Sequence, residues 1–355
     1  MGLTVTKATT LKQKPDENNL GFGTIFTDHM FNMDYNLEKG WHNPRIEPYQ
    51  PISMDPSTMV LHYAQEAFEG MKAYRTQAGG IQLFRPKDNL KRLSNTCRRL
   101  CIPEYDEDFI LSALKQLLRV EADWVPSAPE TSLYVRPNII AMDPFLGVRA
   151  SHTYRFYIIL SPVGAYYAEG FNPVKIWVTK DYVRAVRGGI GDAKTAGNYA
   201  ASLYAGEQAH KQGFTQVLWL DGVEQKYVEE VGAMNIFFVI DGEIVTPRLN
   251  GSILPGITRA SVIDLSRSWG LKVTERRISI DEVIAASDTG KLQEIFGSGT
   301  AAVISPVGIL KYGDKVITVG GGSVGELSAK LFQSIKDIQY GADEDTMGWI
   351  EPVVS

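Results

Sequence analysis

The sequence predicts a two-domain protein of the α+β class. The first half of the 355-residue chain contains a strand-rich region, two helices and two further strands, and the second half alternates strands and helices. Between the halves, the segment AEGFNP interrupts the apolar pattern and is typical of a linker. We therefore predict a small N-terminal domain over residues 1–167, with a flexible arm at 1–20. A linker at 168–180 then leads to a large domain over 181–355.

The composition is that of an ordinary globular protein. The chain is 44% hydrophobic and 22% charged, and its net charge is −5. Because this charge is mild and negative, we expect neither a nucleic acid nor an anionic membrane as a partner. No apolar run reaches the roughly 20 residues that a membrane-spanning helix needs. The polar N-terminus also lacks the apolar core of a signal peptide. We expect a cytoplasmic protein.

The cysteines and histidines predict neither a disulfide nor a metal site. Cys97 and Cys101 lie one helical turn apart. Helical neighbours at that spacing hold their Cβ atoms about 5–6 Å apart, wider than the roughly 3.5–4.5 Å of a relaxed disulfide. The five histidines are scattered without the spacing of metal ligands. We therefore predict reduced thiols and no zinc or iron site.

Local patterns predict the main elements of the first half. The pair Gly79-Gly80 separates two apolar runs and indicates a hairpin. Pro86 and Asp88 open a helix with an apolar stripe, and EDFILSALKQLLRVEADW predicts a second helix. The runs SLYVRPNIIAM and YRFYIILSPV are dense in residues that favour strands. Tyr134 and Arg136 lie two apart on the first of these strands, so their side chains share a face. This pair indicates either a contact with a carboxylate or an arginine that reaches water at the end of the strand.

The second half contains two hairpin signals and three helix starts. Asp221-Gly222 and Asp241-Gly242 each lie within an apolar run, which is a strong signal for a hairpin turn. LPGITRASVIDLSRSWG predicts a helix that begins after a Pro-Gly turn and ends at Gly270. The next two helices each begin with the pattern of a capping box, Ser279 with Glu282 and Ser323 with Glu326.

Lys194 is the candidate reactive residue. It follows Gly188, Gly189 and Gly191 and precedes a helical segment. Glycines let the backbone turn tightly and approach a bound group closely. Two interpretations remain open from the residues alone. Lys194 is either a solvated loop residue, as most lysines are, or a lysine that forms a Schiff base with a carbonyl cofactor, of which pyridoxal phosphate is the commonest.

Further segments offer what such a cofactor needs. The helix that begins at Gly256-Ile257-Thr258 has backbone amides and a positive dipole end for a phosphate. The turn Gly297-Ser298-Gly299-Thr300 brings amides and hydroxyl groups to an anion. Glu230 suits a pyridine ring nitrogen, although Glu229 fits the same pattern. Each segment alone is also explained as a plain connection or an exposed carboxylate.

A glycine-rich segment near the C-terminus leaves a nucleotide-binding dehydrogenase as the alternative class. Gly320, Gly322 and Gly325 follow the strand KVITV and precede a helix, which resembles a dinucleotide fingerprint. Only about thirty residues follow, too few for the βαβ repeats that this fold requires. We interpret the segment as a turn and a terminal helix.

The same segments, taken in order, resemble the branched-chain amino acid aminotransferases, a family of pyridoxal phosphate enzymes of fold type IV. The resemblance runs from Phe22 to about Val353, and its motifs include FTDHM, FEGMKAYR, LFRP, TSLYVRP, LGV, SPVGAY, GNYAASL, QVLWLDG, EVGAMNIF, LPGITR, FGSGTA and IQYG. It implies a small N-terminal α/β domain, a larger domain with a pseudo-barrel, and a homodimer. D-amino acid aminotransferases and aminodeoxychorismate lyases share the lysine and the glutamate, but TSLYVRP and FEGMKAYR argue against both.

The resemblance implies reversible transfer of an amino group from leucine, isoleucine or valine to 2-oxoglutarate. It implies that Lys194 forms the Schiff base, that Tyr199 bonds the phenolic oxygen of the cofactor, and that Glu230 rather than Glu229 faces the ring nitrogen. The implied phosphate contacts are Arg92, Ile257, Thr258 and Thr300. The implied substrate pocket comprises Phe22, Tyr63, Phe68, Gly70, Tyr134, Arg136, Tyr166 and Ala301, with Val148 lent across the dimer interface.

Two departures from the family pattern concern small side chains. Ala302 and Ser305 stand where some members carry a Cys-x-x-Cys pair, so a thiol switch is not expected there. Ala233 stands where some relatives have threonine, so a hydroxyl contact from this position is missing.

Overall fold

The computed structural model describes residues 2–164 and 170–354. It divides into two compact units by its contacts. The first unit comprises Met1–Tyr166, Ala193–Ala196 and Asp337–Ser355. The second unit comprises Tyr167–Asp192 and Gly197–Lys336.

The secondary-structure elements of the described residues are numbered in chain order. The strands are β1 (Thr4–Val5), β2 (His29–Asn36), β3 (Gly40–Pro48), β4 (Glu66–Phe68), β5 (Met71–Arg75), β6 (Ile81–Phe84), β7 (Ser132–Ala141), β8 (Tyr154–Val163), β9 (Val174–Val178), β10 (Gln216–Leu220), β11 (Val228–Val231), β12 (Met234–Ile240), β13 (Glu243–Pro247), β14 (Val273–Arg276), β15 (Leu292–Gly299), β16 (Val303–Tyr312), β17 (Lys315–Thr318) and β18 (Ile350–Val354). The α-helices are α1 (Met59–Tyr63), α2 (Pro86–Arg99), α3 (Glu107–Val120), α4 (Ala196–Lys211), α5 (Ile257–Ser268), α6 (Ile280–Asp288) and α7 (Glu326–Gln339).

The first unit is built on a sheet in which the strands lie in the order β1-β3-β2-β8-β7-β5-β6-β18, with β4 paired to β7. The hairpin predicted at Gly79-Gly80 joins β5 and β6, which are antiparallel. The predicted helices and strands of this half are present as α2, α3, β7 and β8. Their apolar stripes, which include Leu93 and Leu114, lie in one buried core with the sheet.

The segment predicted as a flexible arm, residues 1–20, packs against other residues of the first unit. Thr4 and Val5 pair with β3 in parallel. The backbone N–H of Lys12 donates to Asp28 Oδ1 at 2.8 Å, and Lys14 Nζ lies 3.9 Å from the ring centroid of Trp124. The polar composition that suggested a loose arm instead supplies partners to the buried carboxylate of Asp28.

The second unit contains a closed barrel of six strands, as the pseudo-barrel expectation requires. The strands follow one another in the order β11-β10-β9-β16-β15-β12, and β11 also pairs with β12, which closes the ring. Strands β13 and β14 extend the sheet beyond β12, and β17 pairs with β16. Because the ring is closed, its backbone groups are paired on both sides. The barrel residues form their own buried core, including Ile236 and Phe238.

Both predicted Asp-Gly hairpins are confirmed, by two different mechanisms. Asp241 and Gly242 form a two-residue turn between β12 and β13, and both have positive φ, 53° and 76°. Asp221 begins a longer turn between β10 and β11. Its carboxylate accepts the backbone N–H groups of Val223, Glu224, Lys226 and Tyr227, at 2.8–3.2 Å.

The structure differs from the predicted domain boundaries at two places. The predicted linker at 168–180 contains β9, whose apolar residues pair with β10 and β16. The predicted large domain at 181–355 includes β18, but β18 pairs with β6 and joins the first unit. Short strands of this kind become visible only through their pairing partners, which are distant in sequence.

Of the two predicted capping boxes, one is partly confirmed and one is wrong. Ser279 caps α6, since its hydroxyl accepts the N–H of Glu282 at 3.1 Å. Helix α7 begins at Glu326, too late for Ser323 to be its cap. The carboxylate of Glu294, on β15, accepts the N–H groups of Leu327 and Ser328 at 2.8 and 2.9 Å instead. The charged side chain of Glu294, which lies on a strand, therefore caps the N-terminus of α7.

Both cysteines are free thiols, with Cys97 buried and Cys101 exposed. Burial raises the pKa of the Cys97 thiol to about 12. Across residues 2–164 and 170–354, no group of histidine, cysteine and acidic side chains is arranged to hold a metal ion. Over the same residues, no helix combines the length and the apolar character required to cross a bilayer.

We predict opposite effects of alanine at two unobstructed glycines. Gly242→Ala should lower the free energy of unfolding by about 1–2 kcal/mol, because φ is 76° there and L residues disfavour that region. Gly206→Ala, within α4, should raise it by up to about 1 kcal/mol, because alanine is the better helix former. A new Cβ meets nothing within 4 Å at either position. Urea denaturation of both variants checks this. A stabilised Gly242→Ala variant would contradict the assigned turn.

Candidate active site

Lys194 is held through its backbone in the first unit. Its N–H donates to Thr96 Oγ1 at 3.0 Å, and its carbonyl accepts the N–H of Phe68 at 3.1 Å. The next residue, Thr195, donates its hydroxyl to the carbonyl of Glu66 at 2.6 Å. Lys194 precedes α4 and lies outside any helix or strand. Although Lys194 is in a loop, these hydrogen bonds to residues of α2 and β4 fix the position of its backbone.

The side chain of Lys194 lies beside Phe68, which is the first of a connected series of aromatic rings and a guanidinium group. Its Nζ lies 5.0 Å from the centroid of the Phe68 ring, and the Arg136 guanidinium lies 4.9 Å from the same centroid. Arg136 Nη2 donates to Tyr134 Oη at 3.1 Å. The ring of Phe22 packs edge-on to Tyr134, with centroids 5.1 Å apart. The structure therefore brings together five of the predicted site residues.

Gly70 is required by close packing against Tyr134. A Cβ at this position would overlap the tyrosine hydroxyl. Lys72, two residues further on, pairs with Tyr134 across the sheet and so shares its face. Lys72 is 7% exposed, and this burial lowers its pKa to about 8. Sequence analysis missed this second lysine, although a lysine between Met71 and Ala73 on an apolar strand was a usable signal.

Arg92 forms a buried ion pair that the sequence did not reveal. Its Nε and Nη2 donate to the two carboxylate oxygens of Glu69 at 2.7 and 2.9 Å. Glu69 also accepts bonds from Asn89 Nδ2 at 2.9 Å and from the N–H of Gly70 at 3.1 Å. Burial alone would raise the pKa of Glu69. The charge and hydrogen bonds of Arg92, with the charge of Lys194, outweigh burial and hold the pKa below its usual value.

Tyr63 and Val148 form a separate group. The hydroxyl of Tyr63 donates to the carbonyl of Leu146 in the LGV loop. Val148 is 83% exposed, so its predicted role in a pocket requires another surface to cover it. Tyr166, the other predicted pocket tyrosine, lies outside the described residues.

In the second unit, Glu230 is buried and paired. It lies on β11 with 3% of its surface exposed, and it forms an ion pair with Arg184 Nη2. Asn235 Nδ2 donates to Glu230 Oε1 at 3.2 Å. Arg184 also donates to the carbonyls of Gly191 and Ser252 at 2.8 and 2.7 Å. Arg184 and Asn235 therefore orient the Glu230 carboxylate, and Arg184 is itself held by hydrogen bonds to two backbone carbonyls.

Glu229 is buried too, on the opposite face of β11, since successive strand residues alternate. It accepts the hydroxyl of Ser252, and Asn250 Nδ2 donates to it at 3.3 Å. The interpretation of either glutamate as an exposed residue is wrong. Tyr199, on α4, lines a cavity of about 20 Å³ with Glu230 and Ala233, and Glu229 does not line it.

Asn235 connects three of the predicted cofactor segments. Besides Glu230, its Nδ2 donates to the carbonyl of Leu254 at 2.9 Å, just before α5. A Cβ on Gly256, the residue before α5, would overlap Asn235 Oδ1. Asn235 also pairs with Ser298 in the glycine-rich end of β15. A polar residue in the apolar motif EVGAMNIF was the signal that the sequence analysis passed over.

The remaining predicted phosphate contacts lie at the start of a helix and just after the end of a strand. Ile257 and Thr258 form the first turn of α5, and Thr300 with Ala301 follows the end of β15. A Cβ on Gly297 would lie 2.9 Å from the terminal methyl group of Met234, so the methionine side chain packs directly against this glycine. The hydroxyl of Ser298 is buried and, within the part of the chain that the structure describes, has no hydrogen-bond partner.

Comparison with known proteins identifies the family. The model of the family "Amino-transferase class IV" matches residues 66–309. Branched-chain-amino-acid aminotransferase 2 of Bacillus subtilis (strain 168) is 60% identical over 346 residues, which are 98% of this chain and 95% of the relative. The chain belongs to the branched-chain amino acid aminotransferases of class IV. Enzymes of this class, including this aminotransferase, depend on pyridoxal phosphate.

Solved aminotransferases have the same fold. A branched-chain amino acid aminotransferase of Escherichia coli superposes with a TM-score of 0.77 at 28% identity, covering 92% of this chain and 99% of that chain. The T.th. branched-chain amino acid aminotransferase, complexed with N-(5'-phosphopyridoxyl)-L-glutamate, gives a TM-score of 0.74 at 25% identity, covering 94% and 99%. The donor set of this aminotransferase fits the cofactor: a buried carboxylate suits a ring nitrogen, and the Ser298 hydroxyl suits a phosphate oxygen.

We predict that Glu69→Gln destabilises the aminotransferase by at least about 1.5 kcal/mol near pH 7, because Arg92 then loses charged hydrogen bonds in a buried site. The folded-state pKa of Glu69 is lowered, so its contribution is complete above its usual value of 4.5 and is lost as the pH falls through the folded-state pKa. The difference from wild type should therefore shrink at about pH 3.5. Urea denaturation at both pH values measures it.

Glu38→Gln, at an exposed turn, is the matched control and should leave the stability unchanged. A Glu69→Gln difference that stays constant from neutral to acid pH would show that the charge of Glu69 does not stabilise the fold.

Proposed function

We propose that this aminotransferase transfers the amino group of leucine, isoleucine or valine to 2-oxoglutarate, giving the branched-chain 2-oxo acid and glutamate. The observation that carries the proposal is that Lys194 and Arg136 both lie close to the ring of Phe68. A reactive amine lies beside the ring of Phe68, which suits an apolar side chain. The same ring borders the guanidinium of Arg136, which suits a second carboxylate. One pocket must accept both kinds of substrate, and this surrounding offers a partner to each.

Lys194 has two roles in the proposal. Pyridoxal phosphate, when bound, supplies an electron sink for the bonding electrons of the substrate Cα. Lys194 Nζ would hold the cofactor covalently and, when free, would act as the base and acid that moves the Cα proton of the substrate. The backbone bonds to Thr96 and Phe68 keep the amine near its task in both steps.

We propose further contacts to the phenolic oxygen, the ring nitrogen and the phosphate of the cofactor. Tyr199 bonds the phenolic oxygen, and Glu230 faces the ring nitrogen, with Arg184 and Asn235 orienting its carboxylate. The phosphate is held by Arg92, Ile257, Thr258 and Thr300. The bidentate pair with Glu69 supports the role of Arg92, because it fixes one edge of the guanidinium and leaves the planar group oriented.

We propose that the substrate side chain is bound by Phe22, Tyr63, Phe68, Gly70, Tyr134, Tyr166 and Ala301, with Val148 supplied by a second subunit. Arg136 pairs with the distal carboxylate of glutamate. The glutamate adduct in the T.th. aminotransferase supports this second substrate. The loop residues Phe145, Leu146 and Val148 are 43%, 61% and 83% exposed, and such an apolar patch supports a homodimer interface. We propose that the homodimer is cytoplasmic.

Lys194→Ala should abolish leucine turnover, because the proposed reaction requires the amine that lies beside the Phe68 ring. Lys211→Ala, at the exposed end of α4, is the control and should retain wild-type turnover. The assay follows 2-oxoglutarate-dependent loss of leucine. Borohydride reduction of the wild type followed by peptide mapping should find the cofactor on Lys194. A cofactor mapped to another lysine would overturn the assignment.

Glu230→Gln should slow the leucine half-reaction at least tenfold, which corresponds to about 1.4 kcal/mol of barrier. Glutamine keeps the shape but removes the charge that favours a protonated ring nitrogen. The measurement is the single-turnover rate, followed by the cofactor absorbance. Glu229→Gln is the matched control, since Glu229 lies on the other face of β11. If Glu229→Gln were slow and Glu230→Gln normal, the roles of the two residues would be exchanged.

A further inference from the structure

A cavity of about 250 Å³ lies in the second unit, and Glu229 lines it while Glu230 does not. The other charged or amide side chains that line it are Arg187, Arg248, Arg277, Asp221, Glu224 and Asn250. Its volume is below the roughly 300–1,000 Å³ of sites for drug-sized ligands, so an occupant must be smaller. Nothing in the proposed transamination uses these residues.

Glu229 lines this cavity and has one carboxylate oxygen that no described residue uses. Its side chain is 4% exposed, and its Oε1 accepts the hydroxyl of Ser252 and the amide of Asn250. Its Oε2 is buried and has no hydrogen-bond partner among the described residues. A buried carboxylate oxygen without a donor is unfavourable, and a bound cationic group would relieve this.

Among the described residues, one of the three cavity arginines forms an ion pair and the other two do not. Arg277 Nη2 pairs with Glu224 at 2.8 Å, and its guanidinium stacks 3.4 Å over the Tyr227 ring. Arg187 and Arg248 form no ion pair within residues 2–164 and 170–354, and both are exposed at the cavity. The carboxylate of Asp221 is occupied by the backbone N–H groups of its own turn. The charges left for a ligand are therefore two positive and one negative.

We propose that this cavity is a second binding site, which takes an acidic α-amino acid. The ammonium group would bind Glu229 Oε2, and the two carboxylates would pair with Arg187 and Arg248. Such a ligand carries one positive and two negative charges, the complement of the charges left free in the cavity. The inference stands apart from the proposed reaction, because it uses none of the residues assigned to the cofactor or substrate.

The test uses the holoenzyme with an excess of 4-methylpentanoate, which has the carbon skeleton of leucine without its amine, as a competitor for the proposed substrate pocket. The probe is 2-methyl-L-glutamate, which has no Cα proton to transfer. Titration calorimetry should detect one probe molecule per chain. Glu229→Gln and Arg248→Ala should each weaken binding at least tenfold. Glu243→Gln and Arg267→Ala are matched controls in other ion pairs of the second unit and should bind like the wild type.

Glutarate, which lacks the amine, should bind the wild type at least tenfold more weakly than the probe, and this preference should be lost in Glu229→Gln. Probe binding that is absent from the wild type, or unchanged in both cavity variants, would overturn the site. Glutarate that binds as tightly as the probe would overturn the assignment to an amino acid and leave an anion site. Leucine turnover, measured in parallel, tests the proposed reaction separately.

Discussion

The pairing of β11 with β12 is the constraint on which the second unit depends. It closes the six-stranded barrel, and in the same register it sets Glu230 opposite Asn235. Asn235 in turn contacts the segment before α5 and pairs with Ser298 on β15. Because a closed barrel allows no slip of register, the carboxylate, the helix start and the glycine-rich turn are held in one arrangement. A shift of one residue would exchange Glu230 for Glu229.

Buried charge pairs dominate both groups of site residues. Glu69 with Arg92 and Glu230 with Arg184 are each almost fully buried. Ion pairs of this kind contribute little net stability, because the desolvation of both charges offsets their attraction. Their presence in a buried environment is better explained by the orientation that they give to each side chain. A guanidinium held on one edge presents its other edge in a defined direction, and a carboxylate held by two donors has one preferred direction.

The opposite faces of β11 also separate two kinds of chemistry. The face of Glu230 borders the small cavity that Tyr199 also lines. The face of Glu229 carries the larger cavity with its arginines. The carbonyl of Ser252 accepts from Arg184, and its hydroxyl donates to Glu229, so a single residue contacts both groups. Two adjacent glutamates therefore line different cavities.

The local sequence determined those features whose cause lies within a few residues. The turn at Asp241-Gly242 was predictable because positive φ favours that pair, and the turn at Asp221 because its side chain accepts the N–H groups of the next few residues. Helices α2, α3 and α5 were predictable because their apolar stripes and end signals are local. The motifs around Lys194 and Glu230 were enough to predict the family and its cofactor. The capping of α7 by Glu294 was not predictable, since the cap comes from a strand about thirty residues earlier.

Only the tertiary structure decided which polar residues are buried together. Glu69, Lys72 and Asn235 each follow an apolar neighbour in sequence and look like interruptions of a strand. Their meaning depends on partners from other elements, such as Arg92 on α2 and Tyr134 on β7. Likewise, β9 and β18 are too short to be recognised without the strands beside them. Hydrogen bonds and charge pairs act over a few ångströms in space, whereas a sequence pattern records only proximity along the chain.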